Sequence, residues 1–315
     1  MVQAINLALH EEMMRDVDII VLGEDVGRNG GVFRVTDGLM DKYGPERVMD
    51  TPLAESGIVG MAIGMAAYGL KPVAEVQFMG FIYPAIDQLY THAARLRSRS
   101  RGRFTCPIVV RTPYGAGVKA IEIHSESTEA LFCHMAGLKV VVPSTPYNAK
   151  GLLVSALRDN DPVIFLEPTR LYRMIKEEVP EGPYTLPLGK ARMVKSGKDL
   201  TIVAWGSMLH RAVNAAQDKS ADVIDLMTLR PFDEEAIMES VKKTGRLMIV
   251  EEAQKTGGFA SEISATVSEE AIFYLRAPVM RVASPDVVLP FPKLEGYYMP
   301  DTAHIKEKIE EILRY

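Results

Sequence analysis

Residues 138–166 read Leu138-Lys-Val-Val-Val-Pro-Ser-Thr-Pro-Tyr-Asn-Ala-Lys-Gly-Leu-Leu-Val-Ser-Ala-Leu-Arg-Asp-Asn-Asp-Pro-Val-Ile-Phe-Leu166. Two short runs, 138–142 and 163–166, are apolar almost throughout. Between them Thr145 places a hydroxyl at a helix-capping position, and Pro146 follows at the first helical position, where its missing N–H costs nothing. Strands that are apolar on both faces need cover on both faces, so strand, helix and strand in this order predict a parallel sheet layered by helices.

Outward from this unit the alternation continues in both directions. Ile5, Ala8, Leu9 and Met13 are spaced for an opening amphipathic helix. Strands are expected at 18–25, 47–52, 73–78 and 107–111, with a buried helix over 57–70 and another from about Pro84 into the basic stretch 95–103. From 167 to 198 the pattern fades among Pro168, Pro180, Pro183 and Pro187, which reads as an interdomain linker. Beyond it, strands are expected at 200–204, 223–226, 247–250 and 279–282, separated by helices near 207–218, 233–244 and 257–271 and closed by one at 303–313. The expected architecture is two-domain α/β, with domains at 1–185 and 186–315.

Composition narrows the function. The chain has 315 residues, 47% of them hydrophobic and 24% charged, enough for sizeable cores and unlike a disordered chain. A net charge of −5 argues against a protein built to hold nucleic acid. The arginines at 95, 97, 99, 101 and 103 lack interleaved aromatics and read as a solvated face or a contact for an anionic partner. Cys106 and Cys133 are too few for a disulfide scaffold. The N-terminus does not read as a signal peptide, and the apolar stretch 57–70 is shorter than the ~20 residues that cross a bilayer. A soluble cytoplasmic protein is expected.

Most generic motifs are missing. There is no Walker loop, no Gly-x-Gly-x-x-Gly after a strand, no nucleophile elbow and no Cys/His cluster at zinc spacing. Gly115 and Gly117 fit a plain turn. Two residues stand out. Glu55 lies immediately before the glycine-rich helix, where partial desolvation suits a carboxylate to share a proton with a ligand. A helix-start glutamate favoured by the helix dipole fits the spacing equally well. His124, in Ile123-His-Ser-Glu-Ser127, lies in a loop-like stretch rich in glycine and charge, where a histidine is accessible for catalysis.

At these residues the chain resembles a known family. Asp50-Thr-Pro-Leu-Ala-Glu-Ser-Gly57, Ala74-Glu-Val-Gln-Phe78, Ala85-Ile-Asp-Gln88 and His124-Ser125 resemble the β subunit of the 2-oxoacid dehydrogenase decarboxylase component. So do Leu22-Gly-Glu-Asp-Val26, Lys139-Val-Val-Val-Pro143, Ala149-Lys-Gly-Leu152 and Thr256-Gly-Gly-Phe-Ala-Ser261. The match runs in order along nearly the whole chain. It implies a pyrimidine-binding domain of the thiamine-diphosphate-binding fold, followed by a smaller transketolase C-terminal-like domain.

The resemblance also implies thiamine diphosphate shared with an α subunit in an α2β2 heterotetramer, with Mg2+ held by the α subunit. The superfamily's metal-ligating Gly-Asp-Gly…Asn signature is missing from this chain, so alone it is expected to be catalytically incomplete. By match, Glu55 bonds the cofactor's pyrimidine nitrogen, Phe81 stacks on that ring, and His124 lies near the reacting carbon, positioning the 2-oxo acid or donating a proton during acyl transfer to lipoamide. Gln77 and Leu53 are further candidates for lining the site. Branched-chain-type members hold a structural potassium ion at positions matching Ile108, Ala156, Asp159 and Asp161. The aspartates fit a helix-end turn equally well.

The implied partners are the α subunit, a lipoyl-bearing acyltransferase core and a 2-oxo acid, with no nucleic acid and no membrane. Branched-chain acids are preferred over pyruvate on strings such as Val76-Gln-Phe78. The alternative is a non-catalytic subunit that docks the complex onto its core. One departure is notable: the family usually has Ser-Gln-Ser-Pro after the histidine, and this chain has Ser125-Glu-Ser-Thr128. A carboxylate there bears on the histidine's protonation and on substrate access.

Overall fold

In the computed structural model, which describes residues 1–315, the chain forms two sheets. The N-terminal half runs α1 (Val2–Arg15), β1 (Ile19–Gly23), α2 (Leu39–Tyr43), β2 (Val48–Asp50), α3 (Glu55–Ala67) and β3 (Lys71–Glu75). Tight 3-10 and π turns over 79–95 then lead into α4 (Leu96–Arg99), β4 (Val109–Tyr114), α5 (Glu129–Cys133), β5 (Lys139–Val141), α6 (Pro146–Leu157), β6 (Val163–Pro168) and α7 (Leu171–Met174). The C-terminal half runs β7 (Arg192–Lys195), β8 (Leu200–Ala204), α8 (Gly206–Ala215), β9 (Ala221–Asp225), β10 (Thr228–Arg230) and α9 (Glu234–Thr244). It continues through β11 (Leu247–Gln254), α10 (Ala260–Ala271), β12 (Met280–Ser284), α11 (Glu295–Tyr298) and α12 (Thr302–Ile312).

The opening stretch folds as its pattern dictates. β5 and β6 pair in parallel, Lys139 opposite Val163 and Val141 opposite Phe165. The Thr145 hydroxyl accepts from the Asn148 N–H at 3.2 Å, a cap worth about 1 kcal/mol. The seven-stranded sheet has the order β10-β5-β6-β4-β3-β1-β2, and the five-stranded sheet β12-β11-β8-β9-β7. Two edge strands, β10 and β7, are antiparallel, and neither follows from periodicity. β10 is three residues long and reads Thr-Leu-Arg, too short and too mixed to show a pattern. It leaves β9 of the second sheet and pairs with β5 of the first.

Two expectations are corrected. Helix α3 is buried on one side only: Ile58, Val59, Ala62 and Ala66 face the core, while Met61 is 41% and Tyr68 89% exposed. The helix is apolar all round, but one chain supplies packing for only one face. Second, the stretch read as a linker is bound tightly to the domain it leaves. The Lys150 ammonium, fully buried, donates to the carbonyls of Pro180 and Gly182 and to Glu11. Tyr184 stacks on Tyr147 with ring centroids 4.7 Å apart. A single apolar cluster spans both halves, with Leu22, Val110 and Leu166 in it alongside Val203, Trp205 and Phe259. Such a seam resists hinge motion. No helix is long and apolar enough to cross a membrane.

Candidate active site

In an open parallel sheet, ligands bind beyond the carboxyl ends of the strands, where the loops diverge. Four neighbouring strands here deliver the sequence-predicted residues to that edge. β1 ends at Gly23 and leads into Glu24 and Asp25; β2 leads through Leu53 to Glu55; β3 leads to Gln77, Phe78 and Phe81; β4 leads to the loop carrying His124. Glycine is required where β1 ends, because a Cβ on Gly23 would lie 2.6 Å from the Glu75 carbonyl oxygen.

Several contacts draw this group together. The Gln77 amide donates to the Asp25 carboxylate at 3.3 Å. Burial pushes the Glu24 carboxyl up, and the nearby charges of Glu55 and Asp25 add to the effect. The His124 ring lies edge-on to Phe78, with centroids 4.2 Å apart, and to Phe81 at 5.2 Å. Glu55 opens α3, is only 9% exposed, and takes no part in the side-chain hydrogen bonds or ion pairs of the chain. A carboxylate so placed has acceptor capacity that a donor on a bound ring can fill. Leu53, two residues before Glu55, is 78% exposed.

Beneath these residues lies an ionic group that sequence reasoning missed. Arg111 is 1% exposed and bonds Glu75 at 2.8 Å and Glu167 at 2.6 Å. Burial pushes the Glu75 carboxyl up against the pull of Arg111. Tyr172 donates to Glu167 at 2.6 Å, packs on Phe33 at 5.0 Å between centroids, and Phe33 reaches Phe78 at 5.6 Å. One signal was available: Glu75 and Glu167 are charges at or near the ends of buried strands, and Arg111 is a charge inside another.

The other named positions lie elsewhere. Ile108, Ala156, Asp159 and Asp161 meet where α6 ends beside β4. The Ile108 carbonyl accepts from the Val163 N–H, the Ala156 carbonyl from the Asp159 N–H, and the Asp159 carboxylate from the Asp161 N–H. Both carboxylates also hold chain cations, Asp159 with Lys139 and Asp161 with Arg97. Glu126 makes no hydrogen bond to His124. Its carboxyl, pushed up by burial, lines a cavity of about 220 Å3 together with Ser125, Thr128, Gln254 and Tyr298.

A second acidic group was also missed. At the seam between the halves, Glu129 accepts from the Tyr114 hydroxyl at 2.7 Å and the Trp205 indole at 3.1 Å. Burial pushes its carboxyl up to about 7. Glu251 is pushed up to about 8 by burial and by the charge of Glu129. Each keeps one buried oxygen without a partner.

The family comparisons agree with this architecture. The transketolase pyrimidine-binding domain matches residues 1–174, and the transketolase C-terminal domain matches 189–305. The pyruvate dehydrogenase E1 component subunit beta of Acholeplasma laidlawii is 51% identical over 319 residues, covering 100% of this chain and 98% of its own length. The 2-oxoisovalerate dehydrogenase subunit beta of Bacillus subtilis (strain 168) is 50% identical over 321 residues, with the same coverage. A solved split-gene transketolase, described as an inactive beta4 tetramer, superposes with a TM-score of 0.81 at 24% identity, over 99% of this chain and 97% of its own, which speaks to the fold alone. Both domains match in order and full-length relatives share half of the residues, so the chain belongs to the family of β subunits of the 2-oxoacid dehydrogenase decarboxylase component.

Proposed function

We propose that the chain is the β half of a thiamine-diphosphate-dependent decarboxylase that oxidises a 2-oxo acid and passes the acyl group to lipoamide. It works in the cytoplasm in an α2β2 heterotetramer served by a lipoyl-bearing acyltransferase core. The observation that carries this is Glu55, almost buried and without a hydrogen-bond partner, at the start of α3, which packs beside the turn that carries Phe81. The residues present fit the cofactor's aminopyrimidine: a free carboxylate for a ring nitrogen, and a half-buried aromatic for its face. When bound, thiamine diphosphate supplies the nucleophilic carbon that attacks the 2-oxo acid. Glu55 holds a proton at the ring nitrogen, Phe81 fixes the ring plane, and Gln77 lines the pocket with Leu53 at its rim. His124 orients the acid or donates a proton during acyl transfer.

Mg2+ is assigned to the α subunit, because the Gly-Asp-Gly…Asn signature is missing here. The glycine-rich outer face of α3 suits close packing against another subunit. For a potassium ion at Ile108, Ala156, Asp159 and Asp161, the gathering of the four positions is the support; the ion would compete with Lys139 and Arg97 for the two carboxylates. We retain 185/186 as the domain division. Branched-chain acids remain preferred on the sequence strings alone, since relatives of both substrate types are equally similar. Nothing observed favours a purely docking subunit.

The test is Glu55→Ala in enzyme reconstituted with an α subunit. General acid–base roles contribute about 10²–10⁴-fold, so turnover should fall by at least ~100-fold while the tetramer still assembles. Unchanged turnover would remove Glu55 from the mechanism.

A further inference from the structure

The His124 ring is held without a polar anchor. Its Nδ1 is buried and has no hydrogen-bond partner, whereas a catalytic histidine is ordinarily oriented by the bond its second nitrogen makes. Aromatic edges take that place. Phe78 is the nearer, at 4.2 Å and an interplanar angle of 67°, with Phe81 at 5.2 Å and 72°. Both arrangements are the edge-to-face geometry that aromatic rings prefer.

Phe78 is itself fixed from behind. Phe33 meets it edge-on at 5.6 Å and 71°, Tyr172 packs on Phe33 at 5.0 Å, and the Tyr172 hydroxyl is bonded to Glu167 of the buried Arg111 group. A row of rings thus runs from a rigid ionic group in the sheet to the imidazole. Phe81 is assigned to the cofactor ring, and Phe78, which also meets Phe81 edge-on at 5.7 Å and 80°, is the ring nearer to His124.

We propose that Phe78 is a positioning residue that sets the plane of His124 for the reacting acid through aromatic contact. The proposal rests on the catalytic role given to His124 above. Misorientation of a reacting group is costly even when small.

The test is a double-mutant cycle on enzyme reconstituted with an α subunit, with kcat and KM measured using pyruvate and 2-oxoisovalerate and a lipoylated carrier domain as acceptor. Phe78→Leu should lower kcat about tenfold and change KM by less than about twofold. Phe78→Tyr, which keeps the ring edge, should retain at least about half of the activity. In a His124→Asn background, adding Phe78→Leu should change kcat by less than about twofold, because the residue acts only through the histidine. Phe33→Leu should give a smaller, equally non-additive loss, and it serves should Phe78→Leu fail to assemble. Multiplying losses in the double variant, or full activity in Phe78→Leu, would overturn the positioning role and leave the function standing. Full activity in His124→Asn would instead remove the catalytic assignment, and the positioning role with it.

Discussion

Gly80 shows how little room surrounds the histidine. A Cβ there would overlap the carbonyl oxygen of Ile123, next to His124, so the loop rests directly on the Gly80 backbone. Gly80→Ala is expected to push that loop outward and cost on the order of 10- to 100-fold in turnover. Steady-state assays checked against unchanged cofactor affinity would show it. Glu55 and His124 were legible as candidates in the sequence because the strings around them are distinctive, and His124 lies where a loop follows a strand. Phe33 and Phe78 were not, since an aromatic that orients another ring needs the same apolar surroundings as one that fills a core. Leu53, read as lining the site, is exposed in the single chain.

Three neighbouring strands depend on one guanidinium. Arg111 on β4 bonds both Glu75 on β3 and Glu167 on β6, toward the end of the sheet that carries the site. Replacing one partner of a buried ion pair leaves charge uncompensated. Arg111→Met is therefore expected to destabilise the chain by about 3–5 kcal/mol, measured by urea unfolding. The partners are 36 and 56 residues from Arg111, which is why no local pattern announced them. Elements with a strong period were legible, among them α1, β5, α6 and β6. The edge strands β7 and β10 were not, because their pairing is set by the sheets they join. The segment 175–191 lacked periodicity because its order comes from side chains of α6, Lys150 and Ser155 among them, that bind its carbonyls.

The two halves meet over buried carboxylates, and this gives the whole molecule a pH dependence. Glu129 and Glu251 titrate higher in the folded chain, at about 7 and about 8, than the 4.5 of an exposed glutamate. The folded state then binds more protons between these values, so stability falls as pH rises. Their favourable contribution is complete below about pH 4.5 and lost as pH climbs through 7 and 8. Glu129→Gln, which stays neutral, is expected to flatten the fall in melting temperature between about pH 4.5 and 7, the interval between the unfolded and folded values of its carboxyl. A variant melting curve that still tracks the wild type across this range would place the pH dependence elsewhere.

As proposed above, the whole molecule is half of a catalyst. On the proposed reading, Glu55, Phe81 and His124 of this chain serve one end of the cofactor, and an α subunit serves the other. Calorimetric titration of thiamine diphosphate with Mg2+ into the purified chain, alone and then mixed with an α subunit, tests this directly. Negligible heat from the chain alone and tight binding in the mixture is the expected result. Tight, magnesium-dependent binding by the chain alone would contradict the split site.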